Sequence, residues 1–320
     1  MTLRIGILGA ARVATSAMIA AAREVDGVEV IAVAARDPDR AEVYASKHGI
    51  SKTYPDYRSL IEADDVDAVY NALPPNLHAI WSIAAVKAGK PVLCEKPFAL
   101  DVTDVEAMLA VEARTGKLIM EAQHTYYHPR HARIREIVQS GLLGRISDIA
   151  AQFDVPVPKT AGEIRWDGAV GGGALWDLGV YPAFWLRATI AEEPRLVSAA
   201  NQMNDNKADI WTDAEFEFAS GVTGSISCSM ERDFSAWLKI GGERGTLFVD
   251  NPLSPSAQTL TLDLDNEVTK ETFTSRSTYC FQLEAFRDAV LGGASVHTRG
   301  KDSLATIQLL QDIRALANKE

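Results

Sequence analysis

Two charged residues that follow a short apolar segment are the first candidates for chemistry. Val92 to Cys94 is predicted to be a buried strand, and Glu95, Lys96 and Pro97 come directly after it. Ligands of open α/β sheets bind at the carboxyl ends of the strands. Because a proline stops the strand and restricts the preceding residue to an extended backbone, the direction of the Lys96 ammonium is fixed. A solvated surface pair is the alternative interpretation.

An acid and a phenol form a second pair in the later half of the chain. Asp177 and Tyr181 would share one face of a helix, because their spacing brings them to neighbouring turns. Pro182 fits the first turn of a helix better than its interior, so a helix either begins near Tyr181 or kinks there. The preceding Gly171 to Gly173 allow the backbone to pass close to a cofactor ring or to adopt positive φ. A core tyrosine with a satisfied hydroxyl is the alternative.

A glycine turn after the first predicted strand partly matches a dinucleotide-binding motif. The pattern G-x-G-x-x-G/A begins at Gly9, but alanines, Ala11 and Ala14, stand at its second and third positions. Alanine is allowed at the third position, whereas the second glycine normally lets the backbone approach the pyrophosphate. The turn follows Leu3 to Leu8 and opens a helix, where free N–H groups favour a phosphate. A simple tight turn is the alternative.

The end of the second predicted strand indicates which dinucleotide is bound. An NAD site usually places Asp or Glu about 20 residues after the glycine turn, but here Arg36 occupies that place. A carboxylate would repel a 2′-phosphate, whereas a guanidinium binds it in a bidentate manner. Arg12 offers a second positive charge, and Asp37 either binds ribose or caps the next helix. The sequence therefore favours NADP, with NAD also possible.

The third predicted strand, Asp67 to Leu73, ends in two prolines that would form a rigid wall at the sheet edge. Asn76 is predicted to cap the helix that follows. Two interpretations of His78 stay open: a surface residue in the first helical turn, or part of the wall of a cofactor site.

A polar and aromatic segment, His124 to Pro129, leaves the fifth predicted strand at a domain junction. Because ligands frequently bind at such junctions, we expect His124 and Tyr126 to line the pocket. Two histidines and Asp177 could in principle ligate a metal, but their spacing is not a recognised ligand pattern, so no metal site is expected.

The elements that must position these residues alternate between strand and helix through the first half of the chain. This order predicts a doubly wound parallel sheet with right-handed crossovers. From Leu196 to Thr274, short alternating runs separated by glycine turns predict a mainly antiparallel sheet. One face of that sheet would pack on helices, and the open face could support self-association. The predicted fold class is thus α/β followed by α+β: an N-terminal Rossmann sheet, then an open, mainly antiparallel sheet domain.

Taken together, these motifs resemble those of the Gfo/Idh/MocA oxidoreductases. The similarity is greatest to the subgroup of dimeric dihydrodiol dehydrogenases and NADP-dependent aldose (xylose) dehydrogenases, which have arginine after the second strand and tyrosine at the Tyr181 position. The arginine of that subgroup's Tyr-Arg-Phe-His-Pro run is replaced by Tyr126. The matching stretches are Gly6–Ala14, Ala35–Arg40, Leu73–His78, Glu95–Pro97 and Gly171–Tyr181.

This resemblance implies hydride transfer between NADP and a carbon of a sugar, polyol or dihydrodiol. It implies an NADP-binding domain over residues 1–122, a substrate and oligomerisation domain over 123–302, and a C-terminal helix, 303–318, that packs back on the first domain. Lys96 corresponds to the site lysine of the family, Tyr181 to its proton-transfer residue, and Asp177 to the acidic residue that precedes it.

The predicted site residues fall into three groups. The catalytic residues are Lys96, Tyr181 and Asp177. The cofactor-binding residues are Gly9, Ala11, Arg12, Val13, Arg36, Leu73, Pro74, Asn76, His78, Glu95 and Lys96. The substrate-binding residues are His124, Tyr126, Arg165, Trp166, Asp177 and Tyr181.

Tyr181 is predicted to act as the general base in alcohol oxidation and as the acid in carbonyl reduction. Free tyrosine titrates at about 10, and a neighbouring ammonium and an oxidised nicotinamide would favour its phenolate. Lys96 would supply that ammonium and hold the substrate oxygen, while Asp177 would orient a substrate hydroxyl or Lys96.

Composition limits the remaining possibilities. The chain has 320 residues, 47% of them hydrophobic, and a formal net charge of −11, so a nucleic-acid or membrane-surface role is not expected. Three widely separated cysteines are typical of a reduced, cytoplasmic protein. No signal peptide or membrane-spanning apolar run is visible. The expected partners are a small carbohydrate or diol and further copies of the chain, as a dimer or tetramer through the C-terminal sheet.

Three other functions stay open. A biosynthetic keto-sugar reductase with a nucleotide-linked substrate would need basic residues at the pocket, for which Arg165 is the obvious candidate. An aldose–aldose oxidoreductase would keep NADP permanently bound. A non-enzymatic NADP sensor would share the fold, although the combination of Lys96, Asp177 and Tyr181 argues against it.

Overall fold

The computed structural model describes residues 2–253 and 259–319. The chain divides into two compact units, Met1–His124 with Tyr279–Leu304 and Thr125–Thr278 with Ala305–Glu320. The sequence analysis placed the boundary after residue 122 and returned residues 303–318 to the first domain. In the structure, the segment that returns to the first unit is 279–304.

A parallel sheet forms the centre of the first unit. Its strands are β1 (Leu3–Leu8), β2 (Val28–Ala34), β3 (Lys52–Tyr54), β4 (Ala68–Asn71), β5 (Val92–Cys94) and β6 (Ile119–Glu121). Over the described residues the order is β3-β2-β1-β4-β5-β6, and each neighbouring pair is parallel. The inner strands are buried on both faces, which explains their nearly continuous apolar sequence. The predicted doubly wound sheet is confirmed; β3 was missed because a short, exposed edge strand carries little hydrophobic signal.

The helices of this unit begin and end at residues that suit their termini. They are α1 (Arg12–Ala14), continued by a π-helical turn (Thr15–Ala20), α2 (Pro38–His48), α3 (Tyr57–Glu62), α4 (His78–Lys87) and α5 (Val102–Thr115). Asp37, Asp56 and Asp101 each accept a hydrogen bond from a first-turn N–H. The first helix begins at Arg12, directly after the glycine turn.

The second unit contains a mixed sheet. Its strands are β7 (Ile146–Asp154), β8 (Arg195–Met203), β9 (Asp209–Glu217), β10 (Thr223–Ser229), β11 (Ser235–Gly242), β12 (Gly245–Asp250), β13 (Thr259–Leu264) and β14 (Glu267–Thr272). Within the described ranges the order is β14-β13-β12-β11-β7-β10-β9-β8. The pair β7–β10 is parallel and the other pairs are antiparallel. The predicted, mainly antiparallel sheet is therefore confirmed.

Helix α7 (Val180–Ile190) covers one face of this sheet by packing against β7. Its residues are buried from Val180 to Thr189, so its sequence is apolar on all sides rather than amphipathic. The remaining helices are α6 (Pro129–Gln139), α8 (Thr278–Gly292) and α9 (Lys301–Ala317). Among the residues that the structure describes, no helix combines the length and apolar character needed to cross a membrane.

The three cysteines, Cys94, Cys228 and Cys280, are buried, and no disulfide joins them in the described parts of the chain. A cytoplasmic location stays a prediction.

Hydrogen bonds to β6 hold the returning segment in the first unit. The Glu121 amide donates to the Thr298 carbonyl at 2.8 Å, and the Thr298 hydroxyl donates to the Glu121 carbonyl at 2.7 Å. The Glu121 carboxyl is fully buried, and the Gln123 amide donates to it at 3.2 Å. Burial, with a smaller contribution from Asp302, raises the pKa of Glu121 to about 7.

This raised pKa predicts a specific dependence of stability on pH. The folded state binds the Glu121 proton more tightly than the unfolded state, whose carboxyl titrates near its ordinary value of 4.5. Stability from this group is therefore largest below pH 4.5 and falls as pH rises towards 7, by on the order of 3 kcal/mol. Glu121→Gln should flatten this part of the pH dependence of the free energy of unfolding, measured by urea denaturation.

The matched control is Glu106→Gln, at an exposed position of α5, which should leave the slope unchanged. Equal slopes for the wild type and Glu121→Gln would contradict the assignment.

Candidate active site

Lys96 lies at the carboxyl end of β5, where the sequence analysis placed it. The preceding Glu95 is buried at 7% exposure, and it accepts a hydrogen bond from the Tyr70 hydroxyl. Its second carboxylate oxygen lies 3.3 Å from the Lys96 amide, which donates to it. Tyr70, on β4, was missed by sequence reasoning because a tyrosine in an apolar strand looks like an ordinary core residue. The buried Glu95 and Tyr70 thus position the backbone of Lys96.

The glycine turn suits the phosphates of a dinucleotide. Gly9 has φ +98°, and a Cβ atom there would meet the Ala72 carbonyl at 3.2 Å, so glycine is required. The Tyr44 hydroxyl donates to the Ala11 carbonyl at 2.9 Å, and Arg40 donates to the Ala10 carbonyl at 3.0 Å. Residues of α2 therefore hold the carbonyls of this turn, which comes directly before the first N–H groups of α1.

Two exposed arginines lie next to this turn and at the end of β2. Arg12 is the first residue of α1, beside the exposed Val13, and Arg36 follows the buried Ala35. Both guanidinium groups suit a 2′-phosphate. Asp37 caps α2, since it accepts a hydrogen bond from the Asp39 amide at 3.1 Å. This agrees with the helix-cap interpretation.

The loop after β4 differs from the prediction at Asn76 and bears on the two open interpretations of His78. Asn76 lies inside a 3₁₀ turn, Pro75–Leu77, and the cap position of α4 is Leu77, so the predicted Asn76 cap is wrong within the described chain. The physical reason is that Pro75, at the first position of the turn, starts the helical backbone before Asn76 is reached. The surface interpretation of His78 is also wrong, because its exposed fraction is 1%.

The His78 ring lies between two backbone carbonyls. Its Nδ1 is 2.7 Å from the Pro97 carbonyl oxygen and its Nε2 is 2.8 Å from the Leu73 carbonyl oxygen. Burial lowers the pKa of His78 to about 4, with a further contribution from the charge of Lys96. The two carbonyl oxygens act in the opposite direction and raise this pKa, because each accepts a hydrogen bond from a protonated ring nitrogen.

His124, predicted to contact substrate, is buried at 3% exposure. Its ring contacts that of Tyr279, with the two centroids 4.2 Å apart. Burial, together with the charge of Lys96, lowers the pKa of His124 to about 3. His124 is therefore a neutral neighbour of the Lys96 ammonium, and substrate contact stays a prediction.

In the second unit, a π-helical segment, Leu175–Gly179, leads directly into α7 and carries Asp177. Tyr181 is the second residue of α7 and is buried at 6% exposure, with its ring against Phe153 and Trp185. Pro182 has no N–H to donate to a carbonyl four residues earlier. In a π-helical segment, each carbonyl instead accepts from the N–H five residues later. The structure therefore accommodates Pro182 by widening the helix.

Asp209 positions the start of this helical segment. Its carboxylate accepts a hydrogen bond from the Leu175 amide at 2.7 Å and another from the Thr212 hydroxyl at 2.7 Å. Burial raises the pKa of Asp209. Gly173 has φ +128°, and a Cβ atom there would overlap the Asp209 carboxylate. Sequence reasoning missed Asp209, because an aspartate that opens a strand carries no pattern that points to a distant helix.

Arg165 is held by acidic neighbours. It donates to both carboxylate oxygens of Glu163, at 2.8 and 2.7 Å, and its Nη1 lies 3.9 Å from Asp177. The hydrogen bonds to Glu163 raise the pKa of Arg165. The structure thus brings the predicted Arg165 and Asp177 together. Sequence reasoning missed Glu163, although its position two residues before an arginine could have indicated an ion pair.

Tyr126 and Trp166, the remaining substrate candidates, each contact a basic side chain. The Arg135 guanidinium lies 4.1 Å from the centroid of the Tyr126 ring. The Lys159 ammonium lies 4.9 Å from that of Trp166. These contacts show what surrounds the two rings, and their roles in substrate binding stay predictions. Among residues 2–253 and 259–319, no group of three or more His, Cys, Asp and Glu side chains could hold a metal ion.

Comparison with known proteins identifies the family. The sequence model of an oxidoreductase family with an NAD-binding Rossmann fold, Gfo/Idh/MocA, matches residues 3–123, and that of the Gfo/Idh/MocA C-terminal domain matches residues 131–248. This chain belongs to the Gfo/Idh/MocA oxidoreductase family. The resemblance and the two-part fold expected from the sequence are confirmed.

Several known proteins align along most of the chain. D-xylose 1-dehydrogenase (NADP(+)) 2 of Haloferax volcanii is 30% identical, over 96% of this chain and 95% of its own. A dTDP-3,4-didehydro-2,6-dideoxy-α-D-glucose 3-reductase of Actinomadura kijaniata is 31% identical, over 98% of this chain and 95% of its own. The crystal structure of a 3-ketoreductase from A. kijaniata with NADP and TDP-benzene has a TM-score of 0.92 and 31% identity, covering 99% of this chain and 98% of that one.

The contact between the glycine-rich loop and Asp209 predicts a stability loss. Gly173→Ala would combine positive φ with overlap against a buried carboxylate, so it should lower the free energy of unfolding by about 2–4 kcal/mol. The matched control is Gly221→Ala, which also has positive φ (+86°) but no atom within 4 Å of the added Cβ, and should cost about 1 kcal/mol. Urea denaturation measures both, and equal losses would contradict the role of Asp209.

Proposed function

We propose that this protein is an NADP-dependent dehydrogenase that transfers a hydride between NADP and a carbon of an uncharged sugar, polyol or dihydrodiol. The observation that carries the proposal is the presence of Lys96 after β5 of the Rossmann unit and of Tyr181 with Asp177 at the start of α7. These residues supply a fixed ammonium, a buried phenol and a carboxylate, which together suit proton transfer at a hydroxyl group.

The residues around the glycine turn fit NADP. The positive φ of Gly9 and the amides at the start of α1 suit the pyrophosphate, and the exposed Arg12 and Arg36 suit the 2′-phosphate. The relatives support the same cofactor, because one is named as NADP-dependent and the solved 3-ketoreductase contains NADP. When bound, NADP supplies the carbon that accepts or donates the hydride.

In the oxidation direction, Tyr181 removes the proton of the substrate hydroxyl, and the hydride leaves the carbon that bears this hydroxyl. The Lys96 ammonium binds the substrate oxygen in this proposal. Asp177 orients a neighbouring hydroxyl of the substrate. In the reduction direction, Tyr181 returns the proton to the oxygen of the carbonyl group.

The contacts of Arg165 favour an uncharged substrate over a nucleotide-linked one. Both carboxylate oxygens of Glu163 accept hydrogen bonds from Arg165, and Asp177 adds a second negative charge 3.9 Å away. A phosphate at this position would have to displace Glu163 and would face the charge of Asp177. The second candidate function, a keto-sugar reductase for nucleotide-linked sugars, is favoured by the dTDP-sugar relative and the bound TDP-benzene.

A substrate panel tests the proposal. The purified protein is mixed with NADP or NAD and with free aldoses, polyols or a trans-dihydrodiol, and absorbance of the reduced nicotinamide is recorded. We expect turnover with NADP and at least one free aldose or diol. Tyr181→Phe should bind NADP like the wild type, and both Tyr181→Phe and Lys96→Met should lose roughly 100-fold or more in kcat, because proton transfer is impaired.

Other outcomes identify the alternatives. Reduction of a dTDP-linked keto-sugar, without activity on free sugars, would establish the reductase. Cofactor that survives purification and cycles between two aldoses would indicate an aldose–aldose oxidoreductase. NADP binding without turnover on any substrate would indicate a non-enzymatic NADP sensor. Full activity of Tyr181→Phe would refute the proton-transfer role of Tyr181.

We also propose that the protein forms a homo-oligomer, a dimer or tetramer, through the face of the eight-stranded sheet opposite α7. This face has a groove of about 500 Å³ with small and polar side chains, which allow a second flat sheet to approach closely. The groove is lined in part by Gln152, Ser198, Asp213, Ser225, Ser227 and Trp237. A second copy of the same face could pack against this groove in an isologous interface.

Sedimentation velocity tests this assembly. The wild type should sediment as a dimer or tetramer at micromolar concentration, and Ser225→Arg should dissociate it, because a long charged side chain would fill the groove. Val268→Arg, on the exposed strand β14, is the control and should leave the assembly intact. A monomeric wild type would exclude the proposal.

A further inference from the structure

His78 occupies an unusual place at the sheet edge of the first unit. It is the first residue of α4, its exposed fraction is 1%, and both ring nitrogens lie within hydrogen-bond distance of backbone carbonyls. The Leu73 carbonyl belongs to the loop after β4, and the Pro97 carbonyl belongs to the loop after β5. One side chain therefore contacts both loops at the carboxyl ends of neighbouring parallel strands.

The backbone of His78 is itself held in place. The Asn71 side-chain amide donates to the His78 carbonyl at 3.1 Å and to the Ser82 hydroxyl at 3.1 Å. The same side chain accepts a hydrogen bond from the Leu73 amide at 3.4 Å. Because Asn71 is the last residue of β4 and is fully buried, the position of the imidazole is set by the sheet and not by solvent.

We infer that His78 is a positioning residue, whose ring holds the loop after β4 and the loop after β5 at a fixed separation and thereby sets the backbone of Lys96. This inference rests on the proposed role of Lys96 in hydride transfer. The Pro97 carbonyl is adjacent to Lys96 in sequence, so a shift of that carbonyl moves the lysine. Errors of about 1 Å in the position of a catalytic group can cost 100-fold in rate.

The two contacts of His78 are chemically distinct. A carbonyl oxygen can only accept, so the contact of Nδ1 with Pro97 and the contact of Nε2 with Leu73 are both hydrogen bonds when both ring nitrogens carry a proton. Burial and the charge of Lys96 lower the pKa of the ring, whereas the hydrogen bonds to the two carbonyls raise it. The contact to Pro97 positions the residue next to Lys96. The contact to Leu73 positions the loop that is predicted to contact the cofactor.

Two amide substitutions separate these contacts. The Asn side-chain nitrogen reaches the place of His Nδ1, and the Gln side-chain nitrogen reaches that of Nε2. His78→Asn should keep kcat within about 3-fold of the wild type and raise the Kd for NADP about 10-fold. His78→Gln should show the reverse, with a loss of about 10-fold or more in kcat and a nearly unchanged Kd. His78→Leu, which has no donor, should show both losses.

The measurements are kcat, the Kd for NADP by fluorescence titration, and the midpoint of thermal unfolding. The control is Ile80→Asn, at a 60% exposed position of α4, which should leave all three unchanged. A lowered unfolding midpoint with unchanged kcat and Kd in the Asn and Gln variants would show a purely structural residue and overturn the inference. Parallel losses of kcat and Kd in both variants would also overturn it.

The binding measurement keeps this test separate from the proposed function. If the wild type turned over no substrate, the proposed function would fail, but the Kd for NADP would still differ between the Asn and Gln variants if His78 acts as inferred. If His78→Leu does not fold, the Asn and Gln variants still decide the question. Equal Kd values in those two variants would refute the contact to Leu73.

Discussion

The constraint on which the first unit depends is that buried backbone groups at the ends of parallel strands must be hydrogen-bonded. The loops after β1, β2, β4, β5 and β6 carry residues predicted to act on cofactor or substrate, so their carbonyls have to be satisfied without closing the edge to a ligand. The ring of His78 lies against two of those carbonyls, and Thr298 donates to the carbonyl of Glu121. Buried side chains thus hold these loops in place from the inside, so that the outer side of the loops can bind a ligand.

The second unit applies the same physical rule to a helix. The amide of Leu175 would be unsatisfied at the start of the helical segment, and the buried carboxylate of Asp209 accepts its hydrogen bond. Gly173 leaves room for that carboxylate, which explains a glycine that looks flexible in the sequence. Tyr181 then projects from a helix whose residues are buried, so its position is restricted by packing as well as by hydrogen bonds.

Family membership and substrate choice depend on different parts of the molecule. Relatives at 30% and 31% identity are named for a free sugar and for a nucleotide-linked sugar, so overall similarity does not choose between these substrate classes. Under the proposed function an uncharged substrate is favoured, because Glu163 and Asp177 already balance the charge of Arg165. The fold thus depends on the whole chain, whereas the proposed substrate class depends on local charges.

Apolar periodicity and turn chemistry are local properties, so the sequence predicted the alternation of strands and helices, apart from β3, and the places of Gly9 and Lys96 next to their strands. It did not determine that residues 279–304 return to the first unit, or that His78 contacts two loops. Those features join groups far apart in the chain, and their hydrogen bonds exist only once packing has excluded water. Tertiary structure alone decides such contacts.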